Sequence, residues 1–314
     1  MFNLIRNEWM KILHRPGTYV MAGLLILAVI ISTVLFLFID STFGEGEEIT
    51  WQQSLEMDNE QIQETLETGG YDPYIPSAEG ALAINEYRLA NDLPPNSAKS
   101  IWTYLENNSF MLALVGLFAI IMASGIVAGE FSWGTIKLLM IRPIARWKIL
   151  LSKFMTVATF ALAMSGILVI LLLILGFVFY DSGTTTRLIY ENGSVVEGSM
   201  IPYLVKVYIF NSIDVILLAT MAFMISAVFR NSSMAIGISL FLYFVGGSAT
   251  GFIAMYYDWA KYSLFANTNL SLYEMGMPVV EGMTMTFSVI MILIYFTLFV
   301  TLAFTVFTKR DISA

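Results

Sequence analysis

The sequence predicts an all-α polytopic membrane protein: six transmembrane helices with both termini in the cytoplasm, an N-terminal interfacial helix and a small extracytoplasmic helical insertion. Three observations carry that prediction. Hydrophobic residues make up 57% of the 314, mean hydropathy is +0.74, and only 13% of residues are charged, against roughly 25% in soluble domains. Six apolar runs are each long enough to cross a hydrocarbon core of about 30 Å. The basic residues also sort by side. Eleven (Arg6, Lys11, Arg15, Lys137, Arg142, Arg146, Lys148, Lys153, Arg230, Lys309 and Arg310) fall in or beside segments assigned to the cytoplasm, and five (Arg88, Lys99, Arg187, Lys206 and Lys261) fall outside or in spans. Positive charge beside spans marks the cytoplasmic face, so every loop agrees with one topology.

Taken in order, residues 1–17 repeat apolar side chains at Phe2, Ile5, Trp9 and Ile12–Leu13 with Arg6 and Lys11 off the stripe. That period predicts an in-plane helix, ended by Pro16–Gly17. His14 reads as an interfacial residue, having no partner of matching chemistry nearby. Residues 18–39 form the first span; the apolar run is too long for a signal peptide and lacks a small-residue cleavage site. Residues 40–108 hold 14 of the 24 acidic residues against two basic ones. Apolar positions Trp51, Leu55, Ile62 and Leu66 predict an amphipathic helix over 49–68, and a second helix is expected over 81–91. This acidic, extracytoplasmic subdomain reads as a solvated surface, since it contains no calcium-loop motif.

The second span is predicted over 110–128 and the third over 150–180, which at this length must tilt or project beyond the bilayer. An outer loop with an Asn192–Gly193 turn occupies 181–202. The fourth span, 203–229, contains Lys206, placed to snorkel to the headgroups, and Asp214. Intramembrane carboxylates are costly and tend to be functional. Two placements fit the pattern: near the midplane, with Asn211 one turn away as a hydrogen-bond partner, or at the boundary if the span begins near Ser212. The fifth span, 234–257, carries Gly237, Gly246, Gly247 and Gly251, which allow close helix approach. Residues 258–285 are too apolar for open water and read as short re-entrant or interfacial helices on the outer face. The sixth span covers 286–308, followed by a cytoplasmic tail over 309–314.

The connection over 129–149, between spans two and three, is the most informative segment. Its Phe131, Trp133, Ile136, Leu138, Leu139 and Ile141 are too apolar for a solvated loop, and Arg142–Pro143 stops any helix there. A short helix in the headgroup layer is expected. Glu130, Gly134–Thr135, Lys137 and Leu139, followed by Arg142–Pro143 and Arg146, form E-x-x-x-G-T-x-K-x-L and R-P-x-x-R. This pattern resembles the loop after the second span of ABC-2-type transporter permeases. In that family the loop is the coupling helix that docks on a separate ATPase, and a pair of outer helices precedes the last span, as here. The resemblance implies ATPase-coupling roles for Glu130, Trp133, Gly134, Thr135, Lys137, Arg142, Pro143 and Arg146. It implies as partners a cytoplasmic ABC ATPase that holds ATP and Mg²⁺, a second permease subunit as homo- or heterodimer, and the lipid bilayer of a bacterial cell membrane. The first outer loop is longer than in minimal members of the family.

Several chemistries are excluded or discounted. No G-x-x-x-x-G-K-[ST] phosphate loop is present, so this chain does not hydrolyse ATP and is expected not to be an enzyme. A single histidine and no cysteine exclude a multi-histidine or thiolate metal site, so neither a metal nor a cofactor bound by this chain is expected, and no nucleic-acid partner. The apolar, aromatic-rich spans favour an amphipathic cargo: an antimicrobial peptide, an antibiotic or a lipid-linked molecule, as moved by the resistance permeases of this family. Two other readings stand beside this one, an ion-efflux permease using Asp214 and Asn211 as its intramembrane polar site, and a non-transporting scaffold or sensor.

Overall fold

A computed structural model describes residues 1–43, 50–67, 78–97, 99–136, 143–191 and 193–309, with side chains described outside 40–43. Six of its helices are long and apolar enough to cross a membrane. The chain is an all-α polytopic membrane protein with one small two-stranded sheet among the described residues.

The first helix, α1 (Phe2–Leu13), is amphipathic and turns into α2 (Pro16–Phe43) at His14–Arg15. The turn suits its sequence: Pro16 lacks the N–H that the start of a helix leaves unpaired, and the Thr18 hydroxyl donates to the Ile12 carbonyl at 2.7 Å. Helices α3 (Trp51–Glu67) and α4 (Ala78–Ala90) pack on each other, with Leu55 and Ile62 buried on the expected stripe of α3.

Next comes a short helix, α5 (Ile101–Asn107), whose N-cap is Ser100; its hydroxyl accepts from the Trp102 N–H, satisfying one orphan donor of the first turn. A 3₁₀ turn at Ser109–Met111 then leads into α6 (Leu112–Ser132). Asn108, fully buried, sits at the break. It accepts from the Ser32 hydroxyl at 2.6 Å and donates to the Tyr104 carbonyl at 2.8 Å, so this amide fastens α2 to the joint. The second span therefore starts further out than its apolar run suggests.

Helix α7 (Arg146–Phe179) has 34 residues, about 50 Å at 1.5 Å per residue, well beyond a hydrocarbon core. It is followed by a β-hairpin, β1 (Thr186–Glu191) antiparallel to β2 (Ser194–Ser199), with Thr186 opposite Ser199 and Glu191 opposite Ser194. The hairpin stands where the sequence predicts an outer loop. Helix α8 (Met200–Phe229) runs unbroken and ends at Arg230, which takes a left-handed conformation at φ 57°. Asn231 caps α9 (Ser232–Ala254) by accepting from the Met234 N–H at 3.0 Å. Three short elements follow: a 3₁₀ helix at Asp258–Tyr262, α10 (Leu264–Asn267) and a second 3₁₀ helix at Leu270–Met275. The last helix is α11 (Met285–Lys309).

Helices α6 and α8 form the centre. In their most apolar stretches 67% and 61% of residues are buried, against 11% for α9 and 17% for α11. The core between them is built from small and branched side chains such as Val115, Ala119, Ala123, Leu218 and Ala222. Serines join the helices where backbones approach: Ser226 donates to the Ser124 carbonyl at 2.7 Å and accepts from the Ala128 N–H at 2.9 Å. Of the four glycines in α9, Gly246 is closely packed, its face covered by the Phe265 ring of α10, whereas Gly237, Gly247 and Gly251 face open space.

The segment before α11 is pinned by polar side chains. Asn267, 1% exposed, donates to the Lys261 and Ser263 carbonyls, both at 2.7 Å, and accepts from Ser288 at 2.7 Å. At the same end, Tyr87 of α4 reaches Glu197 of β2 at 3.2 Å, and Arg187 of β1 donates to the Glu274 carbonyl at 3.1 Å while lying over the Tyr203 ring. The α3–α4 pair, the hairpin and the short helices thus make one polar end of the bundle, opposite the end that carries α1.

Candidate functional site

At the α1 end, four charged side chains from three helices meet. Lys153 of α7, 1% exposed, donates to Glu8 Oε2 of α1 at 2.8 Å and to Glu130 Oε1 of α6 at 3.1 Å. Lys11 of α1 donates to Glu8 Oε1 and Glu130 Oε1, each at 2.9 Å. Two carboxylates and two ammonium groups therefore close a balanced ring. Neutrality matters here, because removing a buried ion's partner leaves an uncompensated charge that costs several kcal/mol. Lys11 sits at the rim, with 35% of its side chain exposed. Burial pushes its ammonium pKa down, but the bonds and charges of Glu130 and Glu8 more than offset this and leave it above the usual 10.5.

The ring holds the turn that follows α6. The Thr135 hydroxyl donates to Glu130 Oε2, five positions back, and closes the turn. Gly134 adopts φ 71°, a left-handed conformation that a Cβ would disfavour by about 1–2 kcal/mol. Trp133, 68% exposed, lies under the guanidinium of Arg15, which is 5.2 Å from its ring centroid. Phe131 packs edge-on to Phe307 of α11 and carries Arg230 over its face at 4.8 Å. Trp9 Nε1 donates to Thr159 at 3.0 Å. Together, α1, the end of α6, the start of α7, the α8–α9 turn and the end of α11 converge on one patch. Its buried part is ionic, and Ser132, Trp133 and Gly134 are exposed on it, as is Pro143 ahead of α7.

The residues proposed from the sequence divide accordingly. Glu130 and Thr135 point into the ring and shape the turn, Trp133 faces outward, and Arg146 begins α7. Lys137 and Arg142 lie outside the described residues. Sequence reasoning missed Glu8 and Lys153. A signal existed for each: Glu8 falls on the apolar stripe of α1 between Ile5 and Ile12, and Lys153 is the lone charge in an apolar run.

The second proposed pair separates. Asp214 lies midway along α8, fourteen residues from Met200 and fifteen from Phe229, and the helix is unbroken at Ser212. The expected bond from Asn211 is absent. Asn211 instead accepts from Ser271 at 3.4 Å, and Asp214 meets the hydroxyl of Thr268. Its Oδ1 is buried without a hydrogen-bond partner.

This arrangement defines a multi-pass membrane protein whose charged ring is structural ionic chemistry; among the described residues no cluster of three or more His, Cys, Asp or Glu could hold a metal ion. Residues 80–313 match the model of the family described as "Protein of unknown function (DUF2705)", and the chain belongs to that family. It is similar to "Uncharacterized protein YhcI" of Bacillus subtilis (strain 168), 45% identical over 319 residues that span 100% of both chains. It is also similar to "Uncharacterized membrane protein YdbK" of the same organism, 27% identical over 213 residues, covering 67% of this chain and 82% of that one.

Proposed function

We propose that the chain is the permease subunit of an ATP-driven ABC-2-type exporter in a bacterial cell membrane, moving an amphipathic cargo. A cytoplasmic ABC ATPase, holding ATP and Mg²⁺, docks on the connection between α6 and α7, and two permease subunits meet across the pathway. Both termini and this connection are cytoplasmic; the α3–α4 pair and the hairpin are extracytoplasmic.

The observation that carries the reading is the ionic ring beneath Trp133 and Gly134. A push on an exposed turn is wasted if the turn bends. Here the turn is bonded through Glu130 to α1 and α7, and through Phe131 it touches the α8–α9 turn and α11. A force applied at Trp133 therefore reaches several spans at once. Glu130, on this reading, is a positioning residue, and the exposed side chains touch the partner.

An ion-efflux permease is the second reading, and Asp214 is the observation in its favour. Purification of the tagged chain from its native membrane, in mild detergent, tests the exporter directly. An ATPase with a phosphate loop should accompany it in stoichiometric amount. Recovery of the chain without any ATPase, under conditions that keep it folded, refutes both transport readings and leaves the scaffold.

A further inference from the structure

Asp214 is a carboxylate within a membrane-spanning helix that the described structure leaves without a counter-charge. Glu8 and Glu130 share two lysines, Glu274 pairs with Lys206 at 3.1 Å, and Glu106 accepts from the Tyr203 hydroxyl at 2.9 Å. Asp214 makes no ion pair among the described residues, and its Oδ1 is buried and unbonded. A carboxylate held by a single hydroxyl midway along a membrane-spanning helix is costly, and ligand counter-ions are among the roles for which such groups are kept.

The surroundings select the kind of charge. Helices α6, α8 and α9 converge beside it: a Cβ at Gly116 would lie 3.4 Å from the Tyr243 hydroxyl and 3.6 Å from Val215, the residue after Asp214. Tyr243 lies within electrostatic reach of Asp214, and its hydroxyl is committed as a donor to the Ala113 carbonyl at 2.6 Å. Its ring packs edge-on to Phe244, centroids 5.2 Å apart, and Phe244 is 64% exposed. A hard metal cation takes about six oxygen ligands. The Thr268 hydroxyl bonds Asp214, the Tyr243 hydroxyl is spent on the Ala113 carbonyl, and the Asn211 amide oxygen one turn away is occupied by Ser271, which leaves few free oxygens for a metal. A large, weakly hydrated organic cation needs one counter-charge and apolar or aromatic walls. Asp214 is half-buried, and Phe244 and Gly247 of α9 face open space.

We infer that Asp214, with Tyr243 beside it, binds the cationic group of a hydrophobic organic ligand between α6, α8 and α9. As a statement about cargo, that the amphipathic substrate is a cation, this rests on the exporter reading; as a binding site it stands alone.

The probe is tetraphenylphosphonium, a hydrophobic monovalent cation, measured by equilibrium binding to the purified full-length chain in lipid nanodiscs. One saturable site per chain is expected, with affinity weakened about tenfold or more in Asp214→Asn and kept in Asp214→Glu. A large excess of sodium chloride should leave the probe bound. Absence of saturable binding overturns the inference, as does equal affinity in an Asp214→Asn variant that elutes as a folded protein. Displacement by sodium overturns it in favour of an inorganic ion site. No ATPase takes part, so failure here and failure of the exporter reading are separate results.

Discussion

Replacing Lys153 by Met tests the ionic ring most severely. Met preserves much of the length and apolar stem of lysine, so packing along α7 is retained and the change is chiefly the loss of one charge. Lys153 is buried and bridges Glu8 at 2.8 Å and Glu130 at 3.1 Å. Without it, two carboxylates share one ammonium, Lys11, whose side chain is 35% exposed. A surface pair is worth about 0–1 kcal/mol, but breaking a buried pair from one side costs about 3–5 kcal/mol. The upper range applies here because the lost group had two partners. The assay is equilibrium unfolding of the purified chain in mixed micelles, followed by tryptophan fluorescence. Trp9 and Trp133 flank the ring and report on it. The double variant Glu8→Gln with Lys153→Met restores neutrality, leaving Glu130 with Lys11, and should lose clearly less than the sum of its single variants. A Lys153→Met loss within about 0.5 kcal/mol of zero, or strict additivity in the double variant, would refute the reasoning.

Three further outcomes follow from the same contacts. Because the folded pKa of Lys11 is raised above 10.5, its contribution is fully present below that value and lost as pH rises through the folded one. The stability gap between wild type and Lys11→Met should stay level from neutral pH to about 10 and close only above it; a gap already shrinking near pH 8 contradicts the pairing. Asn267→Ala removes the side-chain donor to the Lys261 and Ser263 carbonyls and leaves the Ser288 hydroxyl with Tyr273 alone, at about 1–3 kcal/mol for each buried group left unsatisfied, and thermal unfolding should show the loss. Gly246→Ala would drive a methyl into the Phe265 ring, whereas Gly247→Ala meets nothing. The first should cost about 1–3 kcal/mol and the second less than about 0.5 kcal/mol, so equal effects would be evidence against the packing.

The helices were legible because lipid demands it: spans must be apolar along their length and satisfy their backbone internally. The run from Tyr203 to Phe229, a break just before Pro16 and the Leu55–Ile62 part of the α3 stripe could be read off directly, although Leu66, expected on that stripe, is exposed. Three features could not. The hairpin over 186–199 lies in a short polar loop, although Asn192–Gly193 between Tyr190 and Val195 is a two-residue hairpin signal. The register of α1 against α7 depends on tertiary packing, so nothing in the order of residues joins Glu8 to Lys153 across 145 positions. Gly246 was read as a helix–helix contact, and its neighbour is instead the short helix after α9, since only the three-dimensional path brings Phe265 back onto it. Within the site, Glu130, Gly134 and Thr135 were marked by their spacing. That Glu130 points inward and Trp133 outward is a property of the fold.

The most direct measurement uses the absence of cysteine in this chain. Trp133→Cys introduces a single thiol at the exposed turn, and a maleimide–benzophenone crosslinker fixes whatever touches it in native membranes. Crosslinking from the cytoplasmic side to a phosphate-loop ATPase is the expected result, with no labelling by an impermeant maleimide in intact cells. Labelling of position 133 from outside, or no ATPase adduct in membranes where the chain is folded, would contradict a permease driven through this turn.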